Sequence, residues 1–205
     1  MIFARVLLRR VSCIIPLVVG LPGVAGCGSG PVAAPTEFAE YNSPGGTFAC
    51  EYPKGWQADG GGKRGLEWAK FKSAPAEIKL DAGVAGSLMA GPGGGSTGEI
   101  PQEVVPELEP VHGIHAAGQR DAEQQFSGYK EVGEIEVIEV ALGPARRSEF
   151  TAASTFGSGL HGYRATALGK DKGVYVYCFC PESDWKTLQP AFDKVLLSLR
   201  RGHSE

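Results

Sequence analysis

Short segments in which apolar and polar residues alternate recur along the chain, and they constrain its fold more than any other feature. In Glu77–Val84 the apolar residues Ile78, Leu80 and Ala82 alternate with charged residues, which is the pattern of a half-buried strand. The same reasoning predicts further strands at Thr47–Tyr52, Leu66–Phe71, Val132–Val140, Arg146–Ala152, Gly162–Leu168 and Val174–Cys180. Because the links between the later strands are short and rich in glycine, these strands are expected to pair antiparallel.

Two regions carry helical periodicity. Gln102–Phe126 is weakly helical, and Pro106 and Pro110 are expected to break its first half. The last helix is expected to begin at Ser183, a good N-cap, and to kink or restart at Pro190. It carries one apolar stripe, formed by Trp185, Leu188, Phe192, Val195, Leu196 and Leu199. Together these elements predict an α+β fold, an α/β/α sandwich with a central, mostly antiparallel sheet and a C-terminal amphipathic helix.

Two local irregularities are also expected. Gly60–Gly62 is predicted to form a flexible loop, because glycine adds conformational freedom. The alternation within Val132–Val140 slips at Ile138, where we expect a β-bulge. Neither feature changes the predicted order of the strands.

Residues 1–27 have the order of a secretory signal: a basic start, an apolar stretch and a small-residue exit. The apolar stretch, Val11–Val19, is too short for a permanent membrane span. The sequence Val-Ala-Gly-Cys at 24–27 resembles the bacterial lipobox. That resemblance implies that residues 1–26 are removed and that Cys27 is acylated, which would hold the protein on a membrane. The alternative is an ordinary signal cut directly before Cys27 or one residue earlier, which leaves a soluble protein.

This interpretation divides the chain into a signal peptide at 1–26, a lipidated cysteine with a flexible tether at 27–40, and a folded domain at 41–201. The 20 bases and 23 acids give a formal charge of −3, and removing residues 1–26 with their three arginines leaves 17 bases. Such an acidic domain lacks the basic surface that nucleic acid or anionic lipid headgroups require. Gly28 after the cysteine does not favour inner-membrane retention, so we expect the cell envelope, at the outer membrane or periplasmic face.

Three stretches of the sequence resemble the PsbP-like family. Phe48–Trp56 resembles the opening strand and Tyr-Pro-x-Gly-Trp turn of that family, Gly143–Thr151 its middle strand, and Asp184–Arg200 its closing helix. The resemblance implies an α/β/α sandwich around an antiparallel sheet. The family includes photosystem II extrinsic subunits, a Ran-binding nuclear-import factor and many bacterial lipoproteins, and its best-known members bind other proteins. It therefore implies no catalytic residues and no cofactor.

One pattern favours a hydrolase instead. Gly94–Gly98 matches G-x-S-x-G with Ser96 as the nucleophile, and Asp121 and His161 are the candidate partners. A glycine-rich loop explains the same residues, because a nucleophile elbow requires a sharp turn from a buried strand into a helix. Gly157–Gly162 matches a dinucleotide-binding pattern, but it lies between two predicted strands, so we interpret it as a hairpin connection.

The remaining reactive residues give weak indications. Cys50 is a candidate for a disulfide with Cys178 or Cys180, whereas buried free thiols are the favoured interpretation. The spacing of cysteines and histidines resembles no zinc site, so no metal is expected. Side chains expected to be solvated are His112, His115, Glu131, Glu134, Glu136 and Glu139.

These observations favour a non-catalytic envelope lipoprotein. It would be anchored to a membrane through lipid on Cys27 and would bind an envelope protein or a small apolar ligand, but no nucleic acid. The alternatives are a lipid-anchored serine hydrolase that uses Ser96 and a purely structural envelope protein.

Overall fold

In a computed structural model, the described residues are 32–84, 109–154, 157–170 and 172–203. The strands are β1 Phe38–Asn42, β2 Ala49–Pro53, β3 Gln57–Lys63, β4 Leu66–Ser73, β5 Ala76–Val84, β6 Lys130–Val140, β7 Gly143–Ala153, β8 Gly159–Leu168 and β9 Lys172–Pro181. The helices are α1 Pro110–Ala117, α2 Gln119–Gln125 and α3 Trp185–Leu197.

Seven strands form one antiparallel sheet in the order β3-β4-β5-β9-β8-β7-β6. β1 and β2 form a separate antiparallel hairpin. A bridge between Ala49 and Arg200 ties that hairpin to the segment after α3. The prediction of an α+β fold with a large antiparallel sheet is therefore confirmed, because short hairpin links can join only antiparallel neighbours.

One face of the sheet packs against α3. Tyr163 and Ala165 of β8 share this face with Val176 and Cys178 of β9, and all four are buried. The predicted apolar stripe of α3 packs on them, and each of its residues is buried. Burying one leucine or phenylalanine side chain stabilises the folded state by about 1.5–3 kcal/mol. This layer is therefore the main core.

The opposite face of the sheet packs against α1 and the segment that follows α2. Phe126 lies 5.2 Å from Phe150 of β7 and 5.5 Å from Tyr177 of β9, measured between ring centroids. Val111 of α1 packs on Leu168 of β8. Four residues of the region predicted to be weakly helical are buried against this face: Val111, His115, Ala122 and Phe126.

Two strands differ from the sequence expectations. β3 contains Gly60–Gly62, the predicted flexible loop, yet it pairs with β4 in regular register. A Cβ on Gly60 would lie 1.9 Å from the hydroxyl oxygen of Tyr41, so close packing and not flexibility explains that glycine. β1 begins at Phe38, so the tether predicted over 27–40 must end before that residue.

The helix ends also differ from prediction. A short 3-10 turn at Glu182–Asp184 precedes α3, and Asp184 instead of Ser183 occupies the N-cap position, without a side-chain cap hydrogen bond. α3 continues through Pro190 without a break. Pro110 begins α1 and breaks no helix, because a proline at the first helical position has no hydrogen bond to lose.

The bulge predicted in β6 is present but lies earlier. The register with β7 shifts between Val132 and Glu136, whereas Ile138 pairs regularly with Ala145. β6 is an edge strand in which most side chains are at least partly exposed. This exposure weakens the polar–apolar alternation and explains the misplaced prediction.

Candidate functional site

A layer of buried polar side chains lies between α1 and the sheet. Arg146 and Ser148 of β7 stand opposite Thr166 and Arg164 of β8, so all four share one face of the sheet. His115 of α1 is fully buried above them. Its Nδ1 lies 3.0 Å from the Thr166 hydroxyl and its Nε2 lies 2.9 Å from the Ser148 hydroxyl. We call these five residues the α1 polar layer.

The imidazole of His115 is neutral at physiological pH. Burial, aided by the charge of Arg164, lowers the pKa of His115 to about 3. An NH1 nitrogen of Arg164, which can only donate, lies 3.4 Å from Nδ1. That donor favours the tautomer in which Nδ1 accepts and Nε2–H donates to Ser148, so both ring nitrogens are satisfied.

Both arginines of the layer contact carboxylates. Arg164 donates to Glu131 at 2.6 Å and to the backbone carbonyl of His115 at 2.6 Å. Arg146 donates to Glu109 at 2.9 Å, directly before α1. Because buried charges are costly unless they are paired and hydrogen-bonded, these contacts fix the position of α1 on the sheet.

The contact between Ser148 and His115 resembles a nucleophile–base pair, but the geometry does not support catalysis. Both side chains are almost completely buried, so a substrate carbonyl has no access to the hydroxyl. The other ring nitrogen of His115 faces the Thr166 hydroxyl, which cannot stabilise an imidazolium as a carboxylate does. The α1 polar layer is therefore a structural element.

The sequence interpretation of His115 as a solvated residue is wrong, and the polar partners on the sheet were not identified. Arg146 and Ser148 are two residues apart on β7, and Arg164 and Thr166 are two residues apart on β8. Such spacing places each pair on one face. A polar face on two adjacent strands is the signal that indicates a buried polar partner from a helix.

An apolar cleft of about 540 Å³ opens beside the first turn of α1. Its apolar lining residues are Pro110, Val111, Leu142, Pro144 and Leu168. Glu109 and Lys170 contribute charged side chains to the lining. The cleft falls within the range of about 300–1,000 Å³ that is typical of ligand pockets, so it can accept an apolar side chain or a small apolar ligand.

The signal peptide, Cys27 and Ser96 lie outside the described residues. The two proposed partners of Ser96 lie on opposite faces of the sheet. Asp121 belongs to α2, on the face of Phe126, whereas His161 stacks on Trp185 at 4.1 Å between ring centroids on the α3 face. The structure therefore does not bring Asp121 and His161 together.

His161 is also fully engaged where it lies. Its Nε2 is 2.7 Å from Glu149 and its Nδ1 is 2.8 Å from Glu182. Only 11% of its side chain is exposed. With carboxylates at both nitrogens and an indole against one face, this imidazole joins β7, β8 and the 3-10 turn before α3.

The three cysteines of the domain are buried free thiols. Burial is the largest effect on each: it raises the pKa of Cys50 and Cys180 to about 12, and it raises the pKa of Cys178 well above its usual value. Such thiols pack as small apolar groups and are poor nucleophiles. The structure contains no disulfide between Cys50 and Cys178 or Cys180, so that pairing stays a prediction.

The acidic stretch of β6 is only partly solvated. Glu131 pairs with Arg164, and Glu136 pairs with Arg147.

Within the described residues, no cluster of three or more histidine, cysteine or acidic side chains is arranged to hold a metal ion. Gly157–Gly162 lies in the connection and first residues of β8, consistent with the hairpin interpretation.

The motif side chains shared with the PsbP-like family are structural. Tyr52 stacks on Phe71 of β4, with 4.4 Å between ring centroids. Trp56 contacts Phe192 of α3 edge-on at 6.4 Å. The motif therefore attaches the β1–β2 hairpin to both the sheet and α3, and it marks the fold, not a reaction.

A solved structure with a TM-score above 0.5 supports this interpretation of the fold. CyanoP, the PsbP protein of Synechocystis sp. PCC 6803, matches with a TM-score of 0.52 and 16% identity over 87% of this chain and 98% of that chain. A Pseudomonas aeruginosa protein of unknown function gives 0.45 and 16% identity over 79% and 95% of the two chains. LpqN, involved in cell envelope biogenesis of Mycobacterium tuberculosis, gives 0.44 and 11% identity over 85% and 90%.

The domain therefore has a PsbP-like fold, as the sequence resemblance predicted. No protein-family model matches the sequence, and no curated protein matches it. None of the helices in the described ranges combines the length and hydrophobicity that a membrane span requires.

Proposed function

We propose that this chain is a non-catalytic envelope lipoprotein, anchored through lipid on Cys27, whose domain binds a protein or small apolar partner in the apolar cleft beside α1. In this proposal the helices on the two faces of the sheet form the outer layers of an α/β/α sandwich. The proposed location is the cell envelope, at the outer membrane or periplasmic face.

One contrast carries the proposal. The polar groups that most resemble a catalytic pair, Ser148 and His115, are buried and hydrogen-bonded to each other, whereas the open cleft beside them is lined mainly by apolar side chains. Catalysis requires reactive groups that a substrate can reach, but binding requires only a complementary surface. The arrangement supports binding.

Blocking the cleft with charge tests the binding function. Pro144 is exposed in the lining, so Pro144→Glu places a carboxylate in the cleft without removing a buried side chain. We expect it to abolish binding of a neutral apolar dye such as Nile red and crosslinking from a photoreactive residue at the cleft. The matched control is Leu197→Glu on α3, where the leucine is 53% exposed. Equal binding by wild type and Pro144→Glu would refute the proposed cleft.

The anchor is tested separately. Mass spectrometry of the processed protein is expected to find an acylated N-terminal cysteine at position 27, and Cys27→Ser is expected to release the protein from the membrane fraction. An unmodified N-terminus at another residue would refute the anchor and would leave the binding function untouched.

The hydrolase alternative requires Ser96, and its test is direct. We expect purified wild-type protein and Ser96→Ala to show the same absence of turnover on a broad panel of esters. An activity that is present in wild type and lost in Ser96→Ala would replace the proposed function. A purely structural envelope role predicts instead a deletion phenotype that Pro144→Glu does not reproduce.

A further inference from the structure

Several turns at one end of the domain enclose a small basic cleft of about 240 Å³. Its four cationic lining residues come from segments that are far apart in the sequence. Arg64 lies in the β3–β4 turn and Lys170 in the β8–β9 turn, Lys172 begins β9, and Arg201 follows α3. The remaining lining is mostly small, with glycines at 45, 46, 65 and 169, and none of its described residues is an acid.

These four cations lack counter-charges within the described part of the chain. Most other bases there form ion pairs, for example Lys54 with Glu37 and Arg200 with Glu40. The bases without an ion pair to another described residue are Lys63, Arg64, Arg120, Lys130, Lys170, Lys172, Lys186 and Arg201. Half of that set lines one cleft, although the protein as a whole is acidic.

One described acid, Glu67, lies beside the cleft and offsets part of its charge. Glu67 is buried behind Gly45, where burial opposes ionisation but hydrogen bonds from Thr47 and Ser43 outweigh it and lower the pKa of Glu67. Its carboxylate is therefore ionised at neutral pH, and its single negative charge offsets only part of the charge of the four cations. The sequence places one further acid, Asp171, between the two lysines, outside the described residues.

Contacts between distant segments hold the backbone around the cleft in place. A Cβ on Gly65 would lie 2.5 Å from Cε and 2.7 Å from Nζ of Lys172, and Gly65 has a φ of +81°, so glycine at this position makes room for the lysine side chain. The Gly65 amide donates to the Thr47 hydroxyl at 3.2 Å. Arg201 follows directly on the bridge between Ala49 and Arg200. Fixed backbone segments reduce the entropy that ligand binding must offset.

We infer that this basic cleft binds a phosphate group. Arginine donors match phosphate geometry and lysine supplies point charge. The volume lies below that of pockets for drug-sized ligands, so it fits a single anionic group better than a large molecule. The basic cleft also shares Leu142, Gly169 and Lys170 with the apolar cleft. The bound phosphate group belongs either to a lipid headgroup, whose apolar part can lie in the apolar cleft, or to free phosphate. In both cases the cleft recognises the same phosphate oxygens.

The test uses the chain from residue 27 onward with Cys27→Ser, so that no acyl anchor contributes. This chain retains every described residue. The first arm of the experiment is a titration with inorganic phosphate at constant ionic strength, measured by calorimetry. The second arm is sedimentation with phosphatidylcholine vesicles that contain or lack phosphatidylglycerol. The cleft variant is Lys172→Gln with Arg201→Gln, and the control variant is Arg120→Gln with Lys186→Gln, which makes the same charge change elsewhere.

We expect saturable binding that the cleft variant weakens roughly tenfold or more, since losing one charged hydrogen bond to the anion lowers the affinity by about a factor of ten or more. Binding of phosphate alone identifies a free phosphate as the source, and binding of only the anionic vesicles identifies a headgroup. Both results support the site. Absence of binding in both arms, or an equal loss in the control variant, would overturn the inference. Circular dichroism verifies that both variants fold. Glutamine keeps part of the aliphatic chain of each lysine or arginine that it replaces.

Discussion

Replacing the imidazole of His115 with an apolar side chain of similar size should destabilise the domain strongly. In His115→Leu, the hydroxyls of Ser148 and Thr166 each lose the only side-chain partner they have among the described residues. Both hydroxyls are at most 2% exposed, so water cannot replace the partner. Since a buried polar group left unsatisfied costs about 1–3 kcal/mol, we expect a loss of about 2–4 kcal/mol in the free energy of unfolding.

The triple variant His115→Leu, Ser148→Ala, Thr166→Val separates hydrogen bonding from packing. Replacing all partners of a hydrogen-bonded group by apolar side chains is nearly neutral, so the triple variant should recover at least half of the lost stability. Urea denaturation followed by tryptophan fluorescence measures both, and the single variant should shift the midpoint by about 1–2 M. A single variant within about 1 kcal/mol of wild type, or a triple variant less stable than the single, would refute this reasoning.

The same variants test the charge state of His115. Its pKa falls from an ordinary value near 6.5 when unfolded to about 3 when folded. Between these values the unfolded chain binds the proton more tightly, so this group makes stability rise with pH, by up to about 1.4 kcal/mol per pH unit. Its stabilising effect is complete above pH 6.5 and is lost as the pH falls. The triple variant should show a flatter profile in this range, and an unchanged slope would contradict a neutral buried imidazole.

Three further predictions follow from buried or closely packed groups. Glu67→Gln should lower the free energy of unfolding by about 1–3 kcal/mol at neutral pH. Because folding lowers the pKa of Glu67, the stabilising effect of its carboxylate should disappear only as the pH falls below the ordinary carboxyl range. A series of urea midpoints at different pH values measures this. Gly60→Val should destabilise the domain because its side chain meets Tyr41, whereas Gly113→Ala, with open space around it, should be tolerated. Native protein at pH 8 should resist iodoacetamide at Cys50, as mass spectrometry can determine, and rapid labelling would contradict its burial.

Periodicity predicted the parts of the fold in which one side of a strand is buried. Ile78 and Leu80 of β5 are fully buried, and their charged neighbours are not, so alternation was sufficient there. β3 was missed because Gly60–Gly62 has weak strand propensity, and pairing with β4 overrides it. Ser183 was assigned as a cap from its type alone, but the 3-10 turn shifts the start of α3 to Trp185.

The candidate sites were harder to predict because they depend on contacts between distant segments. A histidine at position 115 is equally compatible with solvent and with burial until its partners on β7 and β8 are known. The basic cleft joins Arg64, Lys170 and Arg201, which no local pattern connects. The net charge could not indicate this cleft, since a sum over the chain carries no information about clustering.

The acidic edge of the sheet has a consequence for crowded surfaces. β6 ends the sheet, so one row of its backbone groups lacks a neighbouring strand within the described sheet. Exposed edges of this kind invite association between identical molecules. The shifted register between Val132 and Glu136 distorts the edge, and the exposed carboxylates of Glu134 and Glu139 add negative charge that opposes edge-to-edge pairing. Copies of the domain at high local concentration should therefore remain separate from one another.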